Sequence, residues 1–241
     1  MLFGLFWGDW TVLLLIPTMI FAFWAQINVQ STFKKYSAVR NTRGLTGADV
    51  ARRILNENGL YHIRVEHIHG HLNDHYDPKA GVIRLSDAVY TSMSAAAIGV
   101  AAHEAGHACQ HATNYLPIKI RAAIIPVTNL GSMLAMPIFL LGLIFAGGAW
   151  VPGQIGDIFM FAGILLFSLS TVFQLVTLPT EFNASSRALK TLEVTGSLQG
   201  EELTAASKTL QAAALTYVAA LVTSLLTLLR LVLLAGGNRR R

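Results

Sequence analysis

Four long stretches without Asp, Glu, Lys or Arg punctuate the chain, at residues 10–33, 122–156, 158–180 and 209–229. The hydrocarbon core of a bilayer takes roughly 20 apolar residues as a helix. Each stretch is therefore long enough to cross once, and the second has room for a short turn as well. Between them lie polar blocks with local signals of their own. "LTGADVARRILNENG" offers Thr46 as an N-cap, Asp49 three residues on, Val50, Ile54 and Leu55 on one face, and Asn58 with Gly59 as a stop, which predicts a short helix. "YHIRVEHIHGHLNDHYDPKAGVIRLSD" alternates Ile63 and Val65 with polar partners, breaks at "DPKAG" and resumes with Val82, Ile83 and Leu85. That pattern predicts a strand, a turn and a second strand. From Ser94 an Ala-rich run predicts a helix continuing through His111. No repeats or low-complexity segments occur.

Composition agrees with a membrane protein. Of 241 residues, 53% are hydrophobic and 13% charged, whereas about a quarter of an ordinary soluble domain is charged. Lys and Arg are distributed unevenly. Residues 30–121 carry eleven, 147–157 none, 181–208 three, and Arg230 with the tail four. By the positive-inside rule the large segment is cytoplasmic. The residues ahead of the first span hold Asp9 and no Lys or Arg, and no small-residue cleavage site follows, so an uncleaved anchor with its N-terminus outside is expected. Four crossings would then place Arg239, Arg240 and Arg241 outside, against the charge rule. Arg230, near the end of the last stretch, adds to that conflict, and the fourth segment has the alternative of lying partly in the interface. The net charge of +5 is mostly juxtamembrane Lys and Arg, suited to anionic lipid headgroups. No aromatic-basic recognition motif accompanies it, so no nucleic-acid partner is expected. The single cysteine, Cys109, excludes an internal disulfide and fits a reducing compartment. It stands roughly 200° around a helix from His107 and reads as a packing residue.

"AIGVAAHEAGHACQHA", residues 97–112, places His103, Glu104 and His107 among small apolar residues. One helical turn separates the two imidazoles, about 6 Å along the axis, a spacing that lets both close on one zinc ion. Glu104 stands beside them, where a general base can take a proton from water activated by zinc and pass it to a leaving amine. Composition alone gives roughly 0.008 chance matches to this HExxH pattern in a chain with eight His, which argues against accident. A third ligand is needed. The metzincin extension requires Gly at 110 and His at 113, but Gln110 and Thr113 occupy those positions. His111 lies about 12 Å along the axis from His103, too far for one ion. Among downstream acids, Asp157 faces the wrong side, Glu193, Glu201 and Glu202 fall in a polar loop, and Glu181 follows the third span directly. Glu181 is the best placed.

"HEAGH" followed far downstream by "EFNASSRAL" resembles the YugP-like membrane zinc metallopeptidases, also called neutral zinc metallopeptidase type 2. The likeness runs over nearly the whole chain, including "LTGADVARRIL", "NDHYDPKAGVIRLSD" and "LTYVAAL". That family is in turn similar to the HtpX and CAAX prenyl protease group, in which the Glu of an "ExxAD" motif completes the zinc site. The resemblance implies that Glu181, with Ala184, fills that place, and that Ser185 stands where the wider group has Asp. It also implies a sheet edge near the active helix that pairs with an extended peptide or membrane-protein substrate, at "NDHYDPKAGVIRL". His75 and Tyr76 are then candidates for stabilising the oxyanion, with Asn73 beside them as a possible substrate contact. His69, His71 and His75 offer a less favoured reading as a second metal site.

The expected fold is mainly α, a multi-span helical membrane protein with a cytoplasmic gluzincin-like HExxH core and a small β-hairpin or sheet. Its organisation is a first span over 1–33, a cytoplasmic peptidase segment over 34–121, two spans over 122–180, a cytoplasmic segment carrying Glu181 over 181–208, and a fourth membrane segment with a basic tail over 209–241. The expected activity is zinc-dependent peptide hydrolysis in the bacterial plasma membrane, with a non-catalytic zinc-binding scaffold or inactive homologue as the alternative. A metal transporter would want ionisable ligands inside the spans, which hold none before Arg230.

Overall fold

The computed structural model describes residues 10–147 and 153–238. A 3₁₀ turn, Trp10–Leu14, leads into α1 (Leu15–Tyr36), followed by α2 (Gly47–Glu57), β1 (Arg64–Ile68), β2 (His75–Asp77), β3 (Val82–Ser86), α3 (Ala95–Ala112), α4 (Leu116–Ala146), α5 (Gly153–Val194) and α6 (Gly200–Asn238). Four helices are long and apolar enough to cross a membrane, over Trp10–Tyr36, Leu116–Ala146, Gln154–Val194 and Gly200–Gly237. The chain forms two compact units.

The first unit takes 10–24, 120–147, 153–178 and 217–238 from the described residues. Phe139, Met160 and Leu231 form its small buried cluster. A Cβ at Gly163 would lie 2.8 Å from the Phe139 nitrogen, so glycine is what lets α4 and α5 approach there. The buried Thr171 and Ser224 hydroxyls, 2.7 Å apart, join α5 to α6. Met19, Ile20, Phe23 and Phe161 are 65–70% exposed, an apolar surface suited to lipid. Pro126 and Pro137 lie inside α4 without ending it. The fourth apolar segment is one continuous helix through Arg230 to Asn238. Asp9, residues 148–152 and Arg239, Arg240 and Arg241 lie outside the described residues, while 153–157, expected in a turn, open α5.

The second unit takes residues 25–119 and 179–216. The helix α2 forms where its sequence predicts. Thr46 and Asp49 make a reciprocal capping box, satisfying two otherwise orphaned backbone donors, and Gly59 takes φ +71° beyond the Asn58 C-cap. Val50, Ile54 and Leu55 pack into a core with Ile83, Leu85, Ile98, Ala101, Ala105 and Leu192. Ser94 caps α3, accepting from the Ala97 nitrogen at 3.2 Å.

The sheet departs from the expected strand–turn–strand. Its order is β1-β3-β2, with β1 parallel and β2 antiparallel to β3. The "DPKAG" turn joins the short β2 to β3, and Asp77 Oδ1 accepts from the Lys79 and Ala80 nitrogens at 2.9 and 3.1 Å. Residues 69–74 return the chain past β3, and Asp74 pins them there, accepting from the Ser86 nitrogen and hydroxyl at 2.7 and 3.0 Å. Val82, Ile83, Leu85 and Ser86 are buried, so β3 is covered on both faces and reads as a near-continuous apolar run, as a central strand does. A second difference concerns the acids expected in a polar loop. Glu193 lies in the last turn of α5, and Glu201 and Glu202 in the first turn of α6, because the chain breaks only between Gly196 and Gly200, both at positive φ.

Candidate metal centre

The central element is α3, and its small residues explain how other backbone reaches it. A Cβ on Gly106 would lie 2.8 Å from the Ala184 carbonyl oxygen of α5, and one on Gly99 would lie 3.1 Å from the Ala206 Cβ of α6. The approach at Gly106 brings α5 onto the HEAGH turn. Glu181, one turn before Ala184, then faces both histidines. Gly106→Ala should push the two helices apart, lowering stability by about 1–3 kcal/mol and weakening metal binding together, as thermal unfolding and zinc titration of the full chain would report.

Glu181 Oε2 lies 3.2 Å from His103 Nε2 and 3.4 Å from His107 Nε2. Among the described residues these three side chains are the group able to hold a metal, with ligand atoms all within 4.8 Å of one another. The Glu181 side chain is only 3% exposed, while His103 and His107 keep 14% and 10%, so the group is largely buried.

The outer nitrogens are engaged as well. His103 Nδ1 is 3.1 Å from Ser185 Oγ, and His107 Nδ1 is 2.9 Å from Gln110 Oε1. Both Nε2 atoms are thereby turned inward toward the same carboxylate oxygen. Two nitrogen lone pairs facing an anion repel it unless a cation or a proton lies between them. Burial lowers the His107 pKa, yet its hydrogen bond to Glu181 and the charges of Glu104 and Glu181 outweigh that, and the net shift is upward. The pocket therefore attracts a cation. Two imidazoles and one carboxylate, with hydrogen-bonded outer nitrogens, make three protein ligands, the number a catalytic zinc site takes, and the residues present fit that ion.

Glu104 does not join the three. Its Oε2 accepts from the Tyr76 main-chain nitrogen at 2.9 Å, which ties the HEAGH helix to the edge strand β2. Burial pushes its carboxyl above the ordinary glutamate range, against the pull of His103 and His107. A carboxyl so raised suits a group that takes up and returns a proton.

The remaining candidates occupy separate places. The Tyr76 ring meets the His111 ring edge-on at 5.6 Å, so the contact of Tyr76 with Glu104 comes from its backbone. His75 is exposed, with Nδ1 2.9 Å from the Asn73 carbonyl oxygen, and the Asn73 amide donates to the His69 carbonyl at 3.1 Å. His71 lies edge-on to Phe33 at 5.8 Å, and His69 faces Asp87 at 3.6 Å. His69, His71 and His75 thus have different partners and do not converge as a second metal group among the described residues. Gln110, which the sequence offered only as a departure from the metzincin pattern, is fully buried beside His107. Cys109 is buried and unpaired.

Residues 11–236 match the family described as "Putative neutral zinc metallopeptidase". The chain belongs to this family. It is 47% identical over 228 residues to the "Putative membrane protease YugP" of Bacillus subtilis (strain 168), covering 95% of this chain and 97% of that relative. No solved structure matches the chain. The family's description names zinc, and His103, His107 and Glu181 lie close enough together to hold such an ion.

Proposed function

We propose that the chain is a membrane-embedded zinc metalloendopeptidase that hydrolyses peptide bonds at the cytoplasmic face of the bacterial plasma membrane. The observation that carries this reading is the convergence of His103, His107 and Glu181 within 4.8 Å, with Glu104 on the adjoining turn. His103 Nε2, His107 Nε2 and a Glu181 oxygen are the zinc ligands. Bound there, zinc is a Lewis acid that activates water and polarises a scissile carbonyl. Glu104 takes the proton of the attacking water and later delivers it to the departing amine. The Tyr76 N–H holds one Glu104 oxygen and leaves the other free for that transfer.

An extended peptide or membrane-protein segment is the substrate class. The strand β2 is an edge of the sheet, and an edge offers main-chain hydrogen bonds to an incoming strand with little demand on its side chains. Asn73 and His75, at the start of this edge, are proposed to contact substrate, and His75 or Tyr76 to assist at the oxyanion. Purified full-length protein should contain one zinc per chain and convert casein to peptides with new amino and carboxyl termini. A zinc-loaded protein that cleaves neither casein nor membrane-protein segments would favour a scaffold instead.

The cytoplasmic placement rests on charge and helix length. With 42 residues, α5 has about twice the roughly 20 that one crossing takes. Its charge-free run ends at Thr180, so a helix crossing with that run carries Glu181 at the boundary. A cysteine introduced at Gly153 should react with an impermeant thiol reagent in intact cells, and one at Lys79 should not. The reverse labelling would overturn this orientation, and a third cysteine at Asn238 would report the side of the tail.

A further inference from the structure

We infer that Gln110 is the positioning residue that commits Nε2 of His107 to the metal, and that its own orientation is dictated from Arg187. This rests on the zinc site proposed above. The guanidinium of Arg187 only donates. Its Nε donates to Asn183 Oδ1 at 2.8 Å, which fixes the Asn183 amide with its oxygen toward Gln110. Gln110 Nε2 donates to that same oxygen at 3.0 Å and to the Thr180 carbonyl at 2.8 Å. Turned over, the Gln110 amide, itself fully buried, would set its oxygen against two acceptors. Its Oε1 therefore faces His107, 2.9 Å from Nδ1, and Nδ1 must carry a hydrogen. A neutral imidazole has one N–H, so the lone pair lies on Nε2, the atom that faces Glu181 at 3.4 Å.

Two features make this more than a packing contact. Gln110 is fully buried with both amide hydrogens and its oxygen engaged, and it joins α3 to the Thr180–Asn183 turn of α5, which carries Glu181. One side chain thus selects the tautomer of one ligand and holds the segment that bears another. His103 differs, since the Ser185 hydroxyl 3.1 Å from its Nδ1 can donate or accept and selects no tautomer. Replacing Ser185 by Ala should accordingly cost less zinc affinity than replacing Gln110.

The test uses full-length protein, with zinc affinity measured by chelator competition and the unfolding temperature of the zinc-free form measured alongside. Gln110→Met fills the space but accepts nothing from Nδ1, and should weaken zinc binding by about 10–100-fold. Gln110→Glu keeps an acceptor for Nδ1 while losing both donated bonds. It should unfold at lower temperature yet bind zinc within a few-fold of wild type. Equal affinity losses in the two variants, following their unfolding temperatures, would reduce Gln110 to a structural role. Zinc bound alike by wild type and Gln110→Met would overturn the inference alone, whereas wild-type protein without zinc affinity would overturn it together with the metallopeptidase reading. Should Gln110→Met fail to fold, nitrogen-15 NMR of zinc-loaded, histidine-labelled wild type, assigned with His107→Asn, decides the matter. A protonated Nδ1 on His107 is the expected signal, and metal on Nδ1 contradicts it.

Discussion

Glu104→Gln should keep one zinc per chain and lose peptide hydrolysis by about 10²–10⁴-fold. Glu104 lies outside the three-ligand group, and its contact is the Tyr76 backbone nitrogen at 2.9 Å. Glutamine is nearly the same size and presents a carbonyl oxygen to that N–H, so the tie between α3 and β2 survives. What it lacks is a site for the proton of the attacking water. Metal analysis and a cleavage assay on one preparation separate the two properties. Activity retained in the variant would remove Glu104 from the chemistry, and zinc lost along with activity would make it structural.

Glu181→Gln should behave differently, losing zinc affinity and activity together. The Glu181 side chain is 3% exposed and its Oε2 faces both Nε2 atoms. An amide removes the negative charge that offsets a dication at this buried position. The expected loss of affinity exceeds the about 10–100-fold assigned to an outer partner of a ligand, because a direct ligand is changed. Chelator competition gives the affinity, and the paired variants give the discrimination: Glu104→Gln affects turnover alone, Glu181→Gln affects both. Full zinc occupancy with normal activity in Glu181→Gln would remove Glu181 from the site.

The parts of this site that follow from local spacing were legible. Histidines one turn apart on an Ala-rich run share a helix face whatever surrounds them, and Glu181 is the first acid after the charge-free run of 158–180. The small residues around the histidines leave room for a neighbour, and at Gly106 the Ala184 backbone is what approaches. The helix α2 was readable because a capping box is a three-residue signal. Long-range pairings were not legible. The parallel pairing of β1 with β3, and the placing of β2 on the far edge, turn on where residues 69–74 return, and no periodicity records that. Gln110 escaped for a similar reason, since its partners Thr180 and Asn183 lie 70 and 73 residues away. Charge-free runs mark the minimum length of a span but not where its helix ends, so Glu193, Glu201 and Glu202 were placed in a loop although they are helical.

The most direct measurement is a zinc titration of chelator-stripped full-length protein with peptide cleavage as the readout. Cleavage should be absent after stripping, rise in proportion to added zinc and level off at one equivalent per chain, with the same zinc uptake but no cleavage in Glu104→Gln. Cleavage that persists in the stripped protein, or stoichiometric zinc uptake with none at any ratio, would contradict a catalytic zinc at His103, His107 and Glu181.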